Sequence, residues 1–282
     1  MLYGDAPARA HGHHTKRLGE YNSGNALTWR LEQLQRGVCK LCRREKELQA
    51  SHLMAPALHK KARGTGKRGN QDPTVVTLDG RWHSSFQPKD YVLCRECEGL
   101  FSKRGEHYTM GMVSQQDGTF PLLEMLTNAP SRIPGRSWTI YTIRETPNID
   151  RARLAYFAMS VFWRASVHSL KMANGETTSI CLGKKYDEEI RQYLLGDISI
   201  PPNTSLIVSV CTDKTSQRSF FAPSENGKTK DRTVGFGARG IMFFLRMTNS
   251  PLPFQRRLSM VNNPDSIMTT YDCRQHSMWW VG

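Results

Sequence analysis

Two Cys-x-x-Cys pairs constrain the fold of this chain more than any other feature of its sequence. The first pair is Cys39 and Cys42, and the second pair is Cys94 and Cys97. Each two-residue spacer lets one tight turn direct two sulfur atoms at the same point, and four thiolates are a ligand set of structural tetrahedral Zn²⁺ sites. The pairs therefore predict a single zinc site that draws together two distant segments of the chain.

A histidine lies between the two pairs, in the dipeptide Ser51-His52. An imidazole titrates near neutral pH, which suits it to accept a proton from a reacting group. The alternative is structural, because the same side chain could cap the zinc module or hydrogen-bond a backbone carbonyl. His52 is the candidate catalytic residue on the first interpretation.

The residues around the second pair indicate how the zinc module folds. Cys94-Arg-Glu-Cys97 is followed directly by Glu98–Arg104, which favours a helix. A Cys-x-x-Cys turn followed by a second pair at the start of a helix is the layout of a treble clef. The positive end of the helix dipole also stabilises the second pair of thiolates. We expect folding of residues 38–105 to depend on the ion.

The charge of the chain favours a polyanionic partner. Lys and Arg number 39 against 25 Asp and Glu, which gives a formal net charge of +14. Each phosphate that a cation neutralises also releases condensed counterions, so such an excess favours nucleic acid.

Residues 59–71 form the most basic segment, with three glycines and no acidic residue. This composition predicts a mobile loop that follows a phosphate backbone; it has no aromatic residue on which bases could stack. The predicted nucleic-acid-binding residues are Lys60, Lys61, Arg63, Lys67, Arg68 and, beyond the second Cys pair, Lys103.

The remaining cysteines predict the cellular compartment. Cys181, Cys211 and Cys273 are single and widely spaced, and the first two have apolar neighbours. We expect both to be buried free thiols, as in a reducing cytoplasm. The polar N-terminus lacks the apolar stretch of a signal peptide, and no apolar run is long enough to span a bilayer. The sequence therefore predicts a cytoplasmic protein with no membrane partner.

The chain divides into three predicted parts. Residues 1–37 are predicted as a flexible arm with a short helix, and residues 38–126 as the zinc module. A segment rich in proline and glycine, 127–136, precedes a third part, residues 137–282. Within it we predict helices from Asp150 and over 184–195, strands over 138–144, 205–212 and 239–247, a return strand near 218–222 and a turn at 224–228. The expected fold class is α+β, with a zinc-bound treble clef followed by a mixed helix and antiparallel-sheet domain.

Three stretches of the zinc module resemble the HNH endonuclease superfamily, which shares the ββα-metal core. They are Cys39-Lys-Leu-Cys42, Ser51-His-Leu-Met-Ala-Pro56 and Leu93-Cys-Arg-Glu-Cys-Glu-Gly-Leu-Phe-Ser-Lys103. The chain is most similar to a bacterial branch in which Ser-His replaces Asp-His. That branch also has a region like Phe162–Val167, then Leu182-Gly183 and a helix like Tyr186–Leu195, so the resemblance covers most of residues 38–195.

The resemblance implies a metal-dependent endonuclease that hydrolyses phosphodiester bonds. His52 would be the general base, and Mg²⁺ or Mn²⁺ would neutralise the scissile phosphate. Two ligand positions depart from the family: Ser51 stands for its Asp, and Glu98 stands for its helical His. A carboxylate suits Mg²⁺ or Mn²⁺, so Glu98 is the candidate ligand of the catalytic ion. Asn70 lies in the interval of the family's central Asn.

Two alternatives to hydrolysis remain open. The chain could be a zinc protein that binds nucleic acid, with DNA as the expected form, without cleaving it. It could also be an interaction module that uses residues 137–282 to bind a protein partner or a second copy of itself.

Overall fold

The computed structural model describes residues 35–63, 72–76, 80–130, 132–135, 138–171, 177–214, 216–226, 232–248 and 256–272. The described residues belong to one compact unit that begins at Gln35. The predicted N-terminal arm and helix, up to residue 34, lie outside the described residues. Lys67, Arg68, Asn70 and Cys273 also lie outside them.

A small sheet builds the region of the Cys pairs. Its strands are β1 (Arg36–Val38), β2 (Glu45–His52) and β5 (Lys89–Cys94), in the order β1-β2-β5, and each pairing is antiparallel. The turn between β1 and β2 carries the first Cys pair. Arg43 closes that turn with a positive φ of 58° and donates its N–H to the Cys39 carbonyl at 2.8 Å.

Two helical segments follow the strands of this small sheet. Helix α1 (Pro56–Ala62) begins with a proline at its first position, where no N–H is needed. Residues 59–62 were predicted as part of a mobile loop; they are helical, so that prediction is wrong for this part of the segment. Helix α2 (Arg95–Phe101) begins directly after β5 and continues through a π-helical turn (Ser102–Glu106) into α3 (His107–Met112).

A larger, mixed sheet has nine strands in the order β4-β3-β11-β12-β13-β10-β14-β7-β6. The β3–β11 and β10–β14 pairs are parallel, and the other pairs are antiparallel. The strands are β3 (Thr74–Val76), β4 (Arg81–His83), β6 (Ile133–Pro134), β7 (Trp138–Tyr141), β10 (Thr204–Cys211), β11 (Ser219–Asn226), β12 (Arg232–Ala238), β13 (Ile241–Met247) and β14 (Met268–Tyr271). The sheet thus includes strands from both sides of the predicted boundary at 127–136. Short strands β8 (Leu170–Lys171) and β9 (Thr177–Thr178) pair separately.

Helix α5 (Arg151–Val167) is the central helix, and most of its residues are buried. The Asp150 carboxylate accepts the Arg153 N–H at 3.0 Å and caps the helix, as the sequence predicted. Phe157 packs edge-on against Phe236 and Phe243 of the large sheet. On its other side, α5 contacts the π-helical turn so closely that a Cβ on Gly105 would lie 2.7 Å from the Phe157 nitrogen.

The remaining elements agree largely with the sequence predictions. Helix α6 (Lys184–Leu195) has the predicted bounds, and a further short helix is α4 (Pro121–Thr127). The α+β class is confirmed. The predicted turn at 224–228 is wrong for residues 224–226, which continue β11. No helix among the described residues is both long and apolar enough to cross a membrane.

The prediction of buried free thiols is confirmed only in part at each of the two positions that the structure describes. Cys181 is a free thiol, but it is exposed, and its N–H donates to the Glu225 carboxylate at 2.8 Å. Cys211 is fully buried and disulfide-bonded.

Candidate metal centre and nucleic-acid interface

The structure brings the four predicted cysteine ligands together. Cys39 and Cys42 lie on the β1–β2 turn, Cys94 ends β5, and Cys97 lies in the first turn of α2. Their sulfur atoms all lie within 4.8 Å of one another, and those of Cys42 and Cys94 are 4.0 Å apart. Zn–S bonds of about 2.3 Å in a tetrahedron separate the sulfurs by about 3.8 Å. The four side chains therefore fit one metal ion such as Zn²⁺.

The surroundings of the Cys39 sulfur favour its thiolate form. The Cys97 thiol lowers the pKa of Cys39 most, and the N–H groups of Cys42, Cys94 and Leu41 lower it further, to about 4. Burial raises the pKa of Cys94 to about 11, and the Cys39 thiolate with burial raises that of Cys97. Because further negative charge is unfavourable here, a divalent ion is what would stabilise the remaining thiolates.

Helix α6 ties the Cys39–Cys42 turn to the rest of the molecule. Arg191, which is almost fully buried, donates to the Leu41 carbonyl at 2.6 Å and pairs with Glu188 at 2.7 Å. Glu188 also pairs with Arg43 of the turn. This support of the metal centre was not predicted, because nothing in the sequence joins residue 41 to residue 191.

His52 is the last residue of β2, and its register partner is Lys89 of β5. Burial lowers its pKa from 6.5; the charges of Lys89 and Arg164 lower it further, and Glu106 opposes them. The imidazole is therefore neutral at pH 7 and able to accept a proton. Its backbone carbonyl accepts a hydrogen bond from Arg164 at 2.8 Å.

Arg164 is the main link between His52 and α5. Its side chain is 1% exposed and forms an ion pair with Glu106 of the π-helical turn at 2.6 Å. The guanidinium also lies over the Phe101 ring, 5.1 Å from its centroid. The burial of Arg164 and its bond to His52 become visible only in the structure.

The surroundings of His52 lack the ligand set expected for a catalytic divalent ion. The charges that act on His52 are those of Lys89, Arg164 and Glu106, and Glu98 is not among them. Ser51 is buried, and its hydroxyl donates to the Gln49 carbonyl at 3.4 Å. Within the described ranges, the four cysteines are the only group of three or more His, Cys, Asp or Glu side chains that could share an ion. Glu98 has one shielded carboxylate oxygen without a hydrogen-bond partner among the described residues.

Two further histidines surround this region. His59 of α1 stacks on Phe220 of β11, with ring centroids 4.5 Å apart, and burial and His52 lower its pKa to about 4. His168 follows α5 and is 2% exposed. Burial and the charge of Arg164 lower its pKa to about 4, and neither ring nitrogen has a hydrogen-bond partner among the described residues. The sequence carried no signal that singled out His168.

A basic cleft of about 790 Å³ lies beside the C-terminal end of α1. Two of the predicted binding residues, Lys61 and Arg63, line it. Three cations of the large-sheet region, which the sequence analysis did not single out, complete it: Lys214, Arg218 and Arg239. The lining includes one carboxylate, that of Asp117.

Arg239 gives this cleft its most unusual charge. It is 2% exposed, and its guanidinium donates to the carbonyls of Ser114 and Gln115 at 2.7 and 3.1 Å. No carboxylate of the described residues pairs with it. Burial and the nearby Arg218 lower its pKa to about 10. A buried cation beside a second cation favours an anionic ligand.

Two other predicted binding residues, Lys60 and Lys103, do not line this cleft. Lys60 is an exposed residue of α1, and Lys103 is an exposed residue of the π-helical turn. Arg104, next to Lys103, donates to the Leu195 carbonyl at 3.3 Å and lies over the Tyr156 ring, which gives it a packing role.

No protein-family model, curated protein or solved structure matches this chain. The resemblance to the HNH superfamily therefore stays a prediction from the residues quoted above.

Proposed function

We propose that this chain is a zinc-stabilised endonuclease of the HNH type, in which His52 is the general base for hydrolysis of a phosphodiester bond. The position of His52 supports this proposal most strongly. His52, with its neutral imidazole, ends the strand that begins beside the Cys39–Cys42 turn, and the charges of Lys89 and Arg164 act on it. In this proposal, that strand and the helix after the second Cys pair would belong to a ββα-metal core within a treble clef.

The zinc ion would have a structural role in this protein. Four cysteine sulfurs would occupy all four positions of a tetrahedral ion, which leaves none open for water or substrate. Its contribution would be to hold β2 and α2 in place. Since the described residues around His52 do not fit a divalent-ion site, we assign no step to Mg²⁺ or Mn²⁺.

The basic cleft supports nucleic acid as the substrate, with DNA as the expected form. Five cations against one carboxylate match a chain of phosphates better than a neutral substrate. Lys61 lies in α1 and Arg63 directly after it, and α1 also carries His59, so the cleft and the His52 region are connected through one short helix.

Cleavage of plasmid and single-stranded DNA tests the proposal. We expect hydrolysis by the wild type, a loss of about 100-fold or more in His52→Ala, and an unchanged zinc content in that variant. His83→Ala is the matched control, because His83 is exposed on β4. The reactions are run with Mg²⁺, with Mn²⁺ and without an added divalent ion. Full cleavage by His52→Ala would exclude the assigned base.

The same reaction has an expected pH dependence. Because the pKa of His52 lies below 6.5, its neutral base form prevails above that pH. We expect the rate to rise with pH through a value below about 6.5 and then to level off. A rate that falls over this interval would contradict a basic role for His52.

The second candidate function is nucleic-acid binding without hydrolysis. The observation that favours it is the Arg164–Glu106 ion pair, because the one carboxylate that acts on His52 already has a cationic partner. Retention of DNA that falls with salt, with no cleavage under any of the ionic conditions above, would favour this candidate. We expect Lys214→Glu with Arg218→Glu to weaken retention at least tenfold, and Lys184→Glu with Lys185→Glu, outside the cleft, to change it little.

A further inference from the structure

An apolar pocket lies directly beyond His52 and shares no lining residue with the basic cleft. It is open on one side, and its empty space, together with the solvent at its mouth, amounts to about 520 Å³. Leu53 and Met54, the two residues that follow His52, form part of its wall. The pocket therefore adjoins the candidate catalytic residue.

Aromatic rings dominate the rest of the wall. Trp82 of β4 is half-buried, Phe86 is 44% exposed, and Phe220 of β11 is almost fully buried. His59 stacks on Phe220 at an interplanar angle of 23°. Flat rings from three separate segments favour a flat ligand, because aromatic groups pack best in offset or edge-to-face contact.

Two polar atoms at the pocket indicate that this ligand is not a pure hydrocarbon. The Gln87 Oε1 and His59 Nδ1 atoms are shielded from solvent, and neither has a hydrogen-bond partner among the described residues. A shielded polar atom without a partner destabilises the protein, because it has lost its hydrogen bonds to water. A flat heterocycle with polar ring or amino groups would satisfy both atoms.

Short segments connect the pocket to the basic cleft. In α1, His59 lines the pocket, and Lys61 lines the cleft two residues later. Similarly, Arg218 lines the cleft, and Phe220 lines the pocket. Lys89 follows Pro88 of the pocket wall. Cations beside an aromatic pocket match a ligand that combines phosphates with a flat base.

We infer that this pocket binds one unpaired nucleobase of a single-stranded nucleic acid whose phosphates occupy the basic cleft. The inference rests on the proposed action on nucleic acid, and it deepens that proposal by naming the form of the substrate. The base would stack on Trp82 and Phe86, and the pocket would hold the adjoining backbone next to His52.

Binding of a labelled single-stranded oligonucleotide tests the inference, with fluorescence anisotropy as the measurement. The comparison ligand is an oligonucleotide of the same length made of abasic sugar phosphates. We expect the wild type to bind the normal strand about tenfold more tightly, the effect of one base–aromatic stack. Trp82→Ala should remove this preference and leave affinity for the abasic strand unchanged.

Two further variants control for misfolding and for the general loss of an exposed aromatic ring. Phe86→Ala changes an exposed ring, so we expect it to fold normally and to lower the preference several-fold. Trp138→Ala removes a similarly exposed ring on β7, outside the pocket, and we expect no change. Zinc content and circular dichroism verify that each variant is folded.

The outcomes separate this inference from the proposed function. If the wild type binds normal and abasic strands equally, or if Trp82→Ala weakens both equally, the base pocket is refuted while nucleic-acid binding stands. If the wild type binds neither strand at low salt, both the inference and the proposed function are refuted.

Discussion

The two sheets of this protein are stabilised in different ways. The strands of the small sheet are partly exposed, and Val38 of β1 is 57% exposed. In the large sheet, β10 is buried at all eight of its residues. The small sheet therefore depends on the sulfur ligands at its ends, whereas the large sheet depends on apolar burial. Local ligand spacing is visible in a sequence, but the order of strands in a buried sheet is not.

Removal of the metal should have the largest effect, and it should destabilise the small sheet more than the large one. Structural zinc contributes on the order of 10 kcal/mol to folding of small zinc modules, so chelation or Cys94→Ser should unfold β2, β5 and α2 first. Hydrogen exchange should show lost protection there, while β10 and β13 stay protected. Cys181→Ser, at an exposed free thiol, is the control and should change neither sheet. Equal loss of protection in both sheets would show that they are not stabilised independently.

Loss of the ion pair between Arg164 of α5 and Glu106 of the π-helical turn should have the next largest effect on stability. Arg164→Met leaves the Glu106 carboxylate without its buried partner, and we expect it to lower the free energy of unfolding by about 3–5 kcal/mol. Urea denaturation measures this change. The control is Arg153→Met, which breaks the exposed pair with Asp150 and should cost less than about 1 kcal/mol. Equal effects of the two variants would contradict a special role for Arg164.

A lower pH should destabilise the same region, because the buried His168 is neutral in the folded protein. Its pKa is about 4 in the folded protein and near 6.5 when unfolded, so the unfolded chain takes up the proton first. Its contribution is constant above pH 6.5 and should fall by about 3 kcal/mol as the pH decreases to 4 and below. Urea denaturation of wild type and His168→Leu across this range measures the difference. A difference that does not change with pH would refute the buried neutral state.

A pair of glycine variants gives the smallest expected effects, of opposite sign. Gly105→Ala places a methyl group 2.7 Å from the Phe157 nitrogen of α5, and we expect a loss of about 1–2 kcal/mol. Gly99→Ala in α2 meets no atom within 4 Å and should stabilise the protein by about 0.5–1 kcal/mol through helix propensity. Melting temperatures of the two variants measure both changes. Destabilisation by both would point to a general effect of glycine in this helix.

The sequence predicted much of the local structure and part of the site. Cys39, Cys42, Cys94 and Cys97 were identified by spacing, and α6 by the period of its apolar residues. The charge of Glu106, and not that of Glu98, acts on His52, so the role of Glu98 as an ion ligand stays a prediction. Residues 59–62 became helical even though their composition favours a loop.

Spacing, charge excess and helical period are properties of neighbouring residues, so the chain alone already identified the metal ligands, the basic character and α5 and α6. The environment of His52 depends on Arg164, which is 112 residues away, and the basic cleft joins Lys61 to Arg239. Contacts of that kind form only when the large sheet and α5 pack into one core with the zinc module. For this reason the ligands could be recognised in advance, whereas the cleft and the aromatic pocket required the folded structure.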